Sequence, residues 1–112
     1  MNTVAQYADH YAYRVQWSEE DGEYVGTVVE FPGLSWLSLT PGETLDGIRR
    51  VTGECVEDML AHGEQPPQPL SDRSYSGRFN VRITPDAHRR LALEAQEEGV
   101  SLNHLVAERL AV

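Results

Sequence analysis

The C-terminal third of the chain, residues 78–112, carries the clearest pattern and reads RFNVRITPDAHRRLALEAQEEGVSLNHLVAERLAV. Its first six residues alternate between two kinds of side chain: Phe79, Val81 and Ile83 are apolar, whereas Arg78, Asn80 and Arg82 are polar. An alternation with a period of two predicts a β-strand that has one apolar and one polar face.

Two capped helices are predicted after this strand. Thr84-Pro85-Asp86 is typical of a helix start, Gly99 of a helix end, and Ser101 can cap a second helix. The apolar residues recur at helical spacing: Ala87, Leu91 and Ala95 in the first helix, and Leu102, Leu105, Val106 and Leu110 in the second. The segment is therefore predicted to be strand, helix, turn, helix.

This segment is too short to bury a core of its own. Its 36 residues, 77–112, fall below the roughly 40 at which a domain without metal or disulfide usually folds alone. A lone strand also has unpaired backbone groups, which a second copy of the strand could satisfy in a two-fold dimer. The predicted dimer core consists of six apolar side chains: Phe79, Val81, Ile83, Leu91, Leu105 and Val106.

The paired strands would form a two-stranded ribbon, which fits the DNA major groove. Arg can bond guanine and Asn can bond adenine there, so Arg78, Asn80 and Arg82 are the predicted base contacts. Ser101, Leu102 and Asn103 would offer backbone N–H groups to a phosphate at a helix N-terminus. Residues 77–112 thus resemble a ribbon-helix-helix DNA-binding domain, in which the turn Gly99-Val100-Ser101 occupies the phosphate-contacting position. The alternative is that the polar residues are only the solvated face of an edge strand.

Charge divides the chain into two parts. Residues 1–76 contain four Arg and 13 acidic residues, a net charge of −9, whereas residues 77–112 contain five of each and are neutral. The proline-rich residues 63–70 predict a break, with a short strand near Leu70 as an option. We predict a first domain over 1–72, a linker over 73–77 and a second domain over 78–112.

The first domain is predicted to be a small antiparallel sheet packed with one helix, which makes the fold class α+β. Strands are predicted near 11–17, 24–31 and 34–39, and a helix near 41–62, with Thr40 and Glu43 forming a capping box. The apolar residues of this helix predict its buried face: Leu45, Ile48, Val51, Cys55, Val56, Met59 and Leu60.

The first part of the chain also resembles a known family. A hairpin ending in EFPGL (residues 30–34), a helix start of the form T-P-x-E-x-L (40–45) and the proline-rich QPPQPL (65–70) resemble HicB antitoxins. The resemblance implies a partial ribonuclease H-like first domain and a cytoplasmic antitoxin that inhibits a HicA-type mRNA-cleaving RNase toxin. It also implies that the protein represses its own operon by binding operator double-stranded DNA as a homodimer. Whether dimers pair further into a tetramer is left open.

The sequence predicts neither catalysis, nor a cofactor, nor a membrane span. The four histidines lack metal-ligand spacing, no apolar run is long enough to cross a bilayer, and the lone Cys55 is expected to be a core thiol. Two alternatives remain. One is a stand-alone ribbon-helix-helix repressor whose first domain senses a ligand. The other is a metal-dependent nuclease that would use carboxylates of the first domain: Glu19, Glu20, Asp21, Glu23, Glu30, Glu43 and Asp46.

Overall fold

The computed structural model describes residues 3–111. The chain divides into two compact units, unit 1 (Met1–Tyr75) and unit 2 (Ser76–Val112), so the division falls inside the predicted linker. Both units contain helices and unit 1 contains a three-stranded antiparallel sheet, which confirms the α+β class. Within residues 3–111, no helix is both long and apolar enough to cross a membrane.

Unit 1 contains three strands in the order β1-β2-β3, two helices and one 3-10 turn. Its elements are α1 (Val4–Ala8), β1 (Tyr13–Ser18), β2 (Glu23–Val28), β3 (Ser35–Ser38), α2 (Pro41–Ala61) and the 3-10 turn Leu70–Asp72. The short α1 was not predicted from the sequence. It is held by a capping box, in which Thr3 Oγ1 accepts from the Gln6 N–H and the Gln6 side chain accepts from the Thr3 N–H.

The core of unit 1 lies between α2 and one face of the sheet. Val28, Ile48 and Val56 are almost completely buried there. The sheet approaches the helix closely, because a Cβ built at Gly26 would lie 3.0 Å from the Thr44 side chain and 3.1 Å from Ile48. Small residues at the contact therefore let α2 lie close to the strands.

The predicted buried face of α2 is wrong in part. Leu45 is 37% exposed, and the positions that face the core are Thr44, Gly47, Ile48, Thr52 and Val56. The buried stripe is displaced because the close approach of the sheet favours small side chains over Leu. The two buried hydroxyls are satisfied locally: Thr44 Oγ1 donates to the Thr40 carbonyl and Thr52 Oγ1 to the Ile48 carbonyl, each at 2.7 Å. Cys55, expected to be a core thiol, is only partly buried.

The ends of α2 follow from the sequence. Thr40 Oγ1 accepts from the Glu43 N–H at 3.2 Å, although the return bond of the predicted capping box is not seen within residues 3–111. At the other end, Gly63 has a φ of 73°, and the Glu64 N–H donates to the Met59 carbonyl at 2.8 Å. This is the Schellman arrangement, which needs a residue that tolerates positive φ.

The proline-rich segment is not a free break between domains, and the strand considered near Leu70 is a 3-10 turn. Pro66 is fully buried, and the Tyr11 hydroxyl donates to the Pro67 carbonyl at 2.9 Å. The carboxylate of Glu30 accepts from the N–H groups of Ala12 at 3.0 Å and Leu70 at 2.9 Å. Because proline has no N–H to satisfy, such a segment can be buried at little cost in lost hydrogen bonds.

The buried phenol of Tyr11 reflects this packing. Burial raises the pKa of the Tyr11 hydroxyl, and the nearby Glu30 carboxylate raises it further. The hydroxyl therefore stays protonated and keeps donating to the segment.

Gly47 provides a test of the contact between α2 and the sheet. A Cβ at Gly47 would lie 2.0 Å from Cδ1 of Trp36, whose Nε1 donates to Ser38 and whose ring stacks under the Arg50 guanidinium. We expect Gly47→Ala to destabilise unit 1 by about 1–3 kcal/mol in chemical denaturation, because the rigid indole must shift.

The matched control is Gly53→Ala in the same helix. Its new Cβ would meet only Val4 Cγ1 at an ordinary 3.7 Å, so the gain in helix propensity should stabilise the protein by about 1 kcal/mol or slightly less. If both variants shifted the midpoint of chemical denaturation in the same direction, the close packing at Trp36 would be refuted.

Candidate nucleic-acid interface

Unit 2 contains two helices, α3 (Pro85–Glu98) and α4 (Leu102–Leu110), preceded by a segment without regular structure. The strand predicted over residues 78–83 is therefore absent from the single chain. A strand needs a hydrogen-bonding neighbour, and the rest of the described part of unit 2 is helical or turn. The prediction could hold only where a second chain supplies that neighbour.

The two helices begin and end where the sequence predicts. Thr84 Oγ1 accepts from the Ala87 N–H at 3.1 Å, and Ser101 Oγ accepts from the His104 N–H at 3.0 Å. Gly99, with a φ of 70°, ends α3 in the left-handed conformation. These caps fix the turn at residues 99–101, which places the start of α4 directly after α3.

The N-terminus of α4 carries the predicted phosphate-contacting residues. The first N–H groups of a helix have no partner inside it, and Leu102 and Asn103 are the first two residues of α4. The hydroxyl of Ser101 accepts from His104 and keeps its own proton to donate. This geometry can bind an anion through backbone and hydroxyl groups together.

The helices share a small contact that leaves most apolar side chains uncovered. Ala95 and Leu105 are buried, and Arg109 forms an ion pair with Glu94. In contrast, Phe79, Val81 and Ile83 are 70%, 66% and 46% exposed. Three large apolar side chains in a row at this exposure are unusual for a monomeric surface and indicate an interaction site.

These exposed residues line an open groove of about 1330 Å³ within unit 2. The groove brings together five of the six predicted core residues, Phe79, Val81, Ile83, Leu91 and Val106. Leu105, the sixth, is already buried within the single chain. Leu110, which sequence reasoning left out of the core, also lines the groove, and its spacing of four residues from Val106 was the available signal.

The predicted base-contacting side chains lie beside the same groove. Arg78, Asn80 and Arg82 are exposed and line it, as do Leu102 and Asn103 of the phosphate set, whereas Ser101 does not. Neither arginine has an ion pair with a carboxylate within residues 3–111. Exposed guanidinium groups without a carboxylate partner are available to guanine edges or phosphates.

A metal-dependent nuclease would need several carboxylates of unit 1 to converge on one site. In the part of the chain that the structure describes, no three His, Cys, Asp or Glu side chains are placed to hold a metal ion. Glu30 instead accepts backbone N–H groups, as described above, and Glu19 accepts from the Trp17 indole. These carboxylates therefore have structural contacts in unit 1.

The geometry defines a small α+β protein with two different units. Unit 1 contains the sheet and is acidic, and unit 2 is helical. Unit 2 exposes an apolar groove lined also by arginines that have no carboxylate partner within residues 3–111. Residues 61–110, from the end of α2 through almost all of unit 2, match the family model described as the HicB family. Over these 50 of its 112 residues the chain is similar to the HicB family. Comparisons with curated proteins and with solved structures gave no match.

The exposed apolar row predicts self-association. We expect the wild-type chain to be a dimer in light scattering at micromolar concentration, and Val81→Asp to be a monomer, because the carboxylate would be buried without a partner. The monomer should keep the circular dichroism of unit 1, whose core lies within one chain.

Leu93→Asp is the matched control for this prediction. Leu93 is 55% exposed on α3 and does not line the groove, so this variant should remain a dimer. A monomeric wild-type chain at the same concentration would contradict the prediction.

Proposed function

We propose that this protein is an antitoxin that binds and neutralises a HicA-type mRNA-cleaving RNase toxin and, as a homodimer, binds operator DNA to repress its own operon. Unit 1 would be the partial ribonuclease H-like, toxin-binding domain, and unit 2 the ribbon-helix-helix domain. The observation that carries the proposal is the uncovered row Phe79, Val81 and Ile83 beside free arginines, within the range that matches the HicB family.

The dimer follows from pairing residues 78–83 of two chains. Antiparallel pairing would satisfy backbone groups that have no strand partner in the single chain. Because successive side chains of a strand point to opposite faces, the apolar three would pack together on the groove and the polar three would face outward. A second copy is the simplest partner with a matching surface, since a two-fold axis presents the same patch twice.

The outward face of such a ribbon suits double-stranded DNA. Arg78 and Arg82 could each bond guanine O6 and N7, and Asn80 could bond adenine N6 and N7. The start of α4 would hold a phosphate on each side and fix the ribbon in the groove. Two copies of each contact would make the operator a two-fold site.

The charge of unit 1 favours a basic partner. All of the net negative charge of −9 lies in residues 1–76. RNA-cleaving toxins of the HicA type resemble double-stranded RNA-binding domains, and surfaces that bind RNA are basic. An acidic domain would therefore attract such a toxin and compete with its RNA.

A second candidate function is a repressor that senses a small ligand through unit 1. It is favoured by an open cavity of about 440 Å³ in unit 1 with mainly polar side chains around it: Gln6, Tyr7, His10, Gln65, Gln68, Pro69 and Asp72. A gene for a short basic protein beside this one would favour the antitoxin, and the absence of such a gene would favour the sensor.

The protein is further proposed to be cytoplasmic and not an enzyme. Incubation of the pure protein with RNA and Mg²⁺ or Mn²⁺ tests the second point, and cleavage that depends on the metal would refute it.

Operator binding should depend on the outward face of the ribbon. We expect Arg82→Ala and Asn80→Ala each to weaken operator binding in a gel-shift titration. Each lost base contact should cost about 1–3 kcal/mol, and each substitution removes two such contacts because the dimer carries two copies. Both variants should remain dimers in light scattering. Arg73→Ala, which changes an exposed arginine of unit 1, is the control and should bind as the wild type does. Unchanged affinity of both groove variants would place DNA recognition elsewhere.

The two functions should separate between the units. A fragment of residues 1–75 keeps the acidic surface, the sheet, α2 and the proline-rich segment, and should restore growth when co-expressed with the toxin. It should not bind the operator. Residues 76–112 should bind DNA weakly and fail to restore growth, because a small neutral segment offers less than the roughly 800 Å² per partner of a standard interface. Rescue by the second fragment alone would reverse the assignment.

A further inference from the structure

The sheet of unit 1 is covered on one face only. Val15, Gly26 and Trp36 lie side by side in register, and Gly26 faces α2 directly. The alternating residues therefore point to the opposite face, against which no helix of unit 1 packs. Register places Gln16, Val25 and Leu37 in one row across that open face.

The open face is polar over much of its area, with Arg14, Thr27 and Ser35 in the neighbouring row, and its exposed leucines lie toward the end of β3. Leu37 is 40% exposed, and Leu39, which follows the end of β3, is 72% exposed. Val29 continues the outward row of β2 and is also exposed. Antiparallel sheets usually place polar residues on the side away from the core, so the two exposed leucines at the end of β3 are the part of this face that indicates a partner.

One end of the sheet, which borders both of its faces, is strongly acidic. The loop between β1 and β2 carries Glu19, Glu20 and Asp21, and Glu23 begins β2. The pairing of β2 with β3 ends at Tyr24 and Ser38, so Glu23 and Leu39, their neighbours in the chain, lie at the same end of the sheet. None of these four carboxylates forms an ion pair with an arginine or histidine in residues 3–111. The exposed leucines thus lie toward the end of the sheet that carries these carboxylates.

The size of the face decides how much surface a partner must use. Three strands of at most six residues span about 300 Å², from a strand spacing of about 4.8 Å and a rise of about 3.3 Å per residue. A stable interface needs about 800 Å² on each partner. A partner that covers the open face must therefore extend over its rim, and the acidic loop is part of that rim.

Charge decides which of two partners, a second copy of this chain or a basic protein, suits the open face. A second copy would bring another unit 1 with its net charge of −9 against the same carboxylates, which is repulsive. A protein with arginine or lysine side chains around an apolar centre would satisfy both parts of the surface.

We propose that the open face of the sheet, centred on Leu37 and Leu39 and bordered by the loop of residues 19–23, is the surface on which unit 1 binds its basic protein partner. This inference rests on the proposed antitoxin function and assigns the toxin to one face of unit 1. The apolar centre supplies the buried contacts and the acidic loop guides and aligns the partner.

The test uses the full chain and the short basic protein encoded beside it, made non-toxic by replacing its catalytic histidine. We expect the double variant Leu37→Glu with Leu39→Glu to bind this probe about tenfold more weakly or worse in calorimetric titration, because the substitutions affect the apolar centre. The control is Leu45→Glu on α2, which is 37% exposed and not on the sheet. It should bind as the wild type does, and both proteins should keep the wild-type circular dichroism.

A second pair of variants tests the acidic border. Glu20→Arg should slow association several-fold and reduce its dependence on salt, whereas Glu57→Arg, an equal change of charge on the exposed side of α2, should not. If the wild-type chain bound the probe and the sheet variants bound it equally well, this inference would be overturned while the antitoxin function would stand. Failure of the wild-type chain to bind would overturn both.

Discussion

The close packing of α2 on the sheet determines the arrangement of unit 1. Gly26 on the strand and Gly47 on the helix remove the side chains that would hold the two layers apart. Val28 and Ile48 fill the remaining space and are almost fully buried. Because a single helix makes this contact, it covers only one face of the sheet, and the other face is left with exposed leucines. The same packing that stabilises the unit therefore creates its open surface.

Much of the fold could be predicted from local signals. Thr40, Thr84 and Ser101 each cap a helix, and Gly63 and Gly99 each stand at a helix end with positive φ, as the sequence indicated. Such signals are local because each depends on hydrogen bonds within a few residues of the chain. The hairpin was predicted for a similar reason, since its alternation and turn lie within one short segment.

Features that depend on distant contacts were not predicted. The buried stripe of α2 passes through Thr44 and Thr52 in place of Leu45, because the distance to the sheet decides which side chains fit. Burial of Pro66 depends on residues more than fifty positions away, such as Tyr11. Composition marks a proline-rich segment as unable to form a helix but does not say what it packs against.

The candidate site shows the same difference between features that depend on local sequence and features that depend on distant contacts. Phe79, Val81 and Ile83 line one groove, but Arg78, Asn80 and Arg82 line it as well, and the predicted strand is absent from the single chain. A strand is completed by its neighbour, and no sequence of one chain contains the neighbour that a second chain would supply. The open face of the sheet was not predicted for another reason. Which residues are exposed there depends on how α2 packs against the sheet.

The exposed groove of unit 2 also has a consequence for the dose of protein in a cell. If the protein is the proposed repressor and two chains must meet before its ribbon exists, the amount of active repressor at low abundance rises with the square of the chain concentration. A modest fall in synthesis, or faster degradation of the loosely packed single chain, would then empty the operator disproportionately. The amount of folded unit 1, whose core lies within one chain, would fall only in proportion to the chain concentration. One polypeptide could thus combine a graded response with a steep one, because only one of its halves lacks a core of its own.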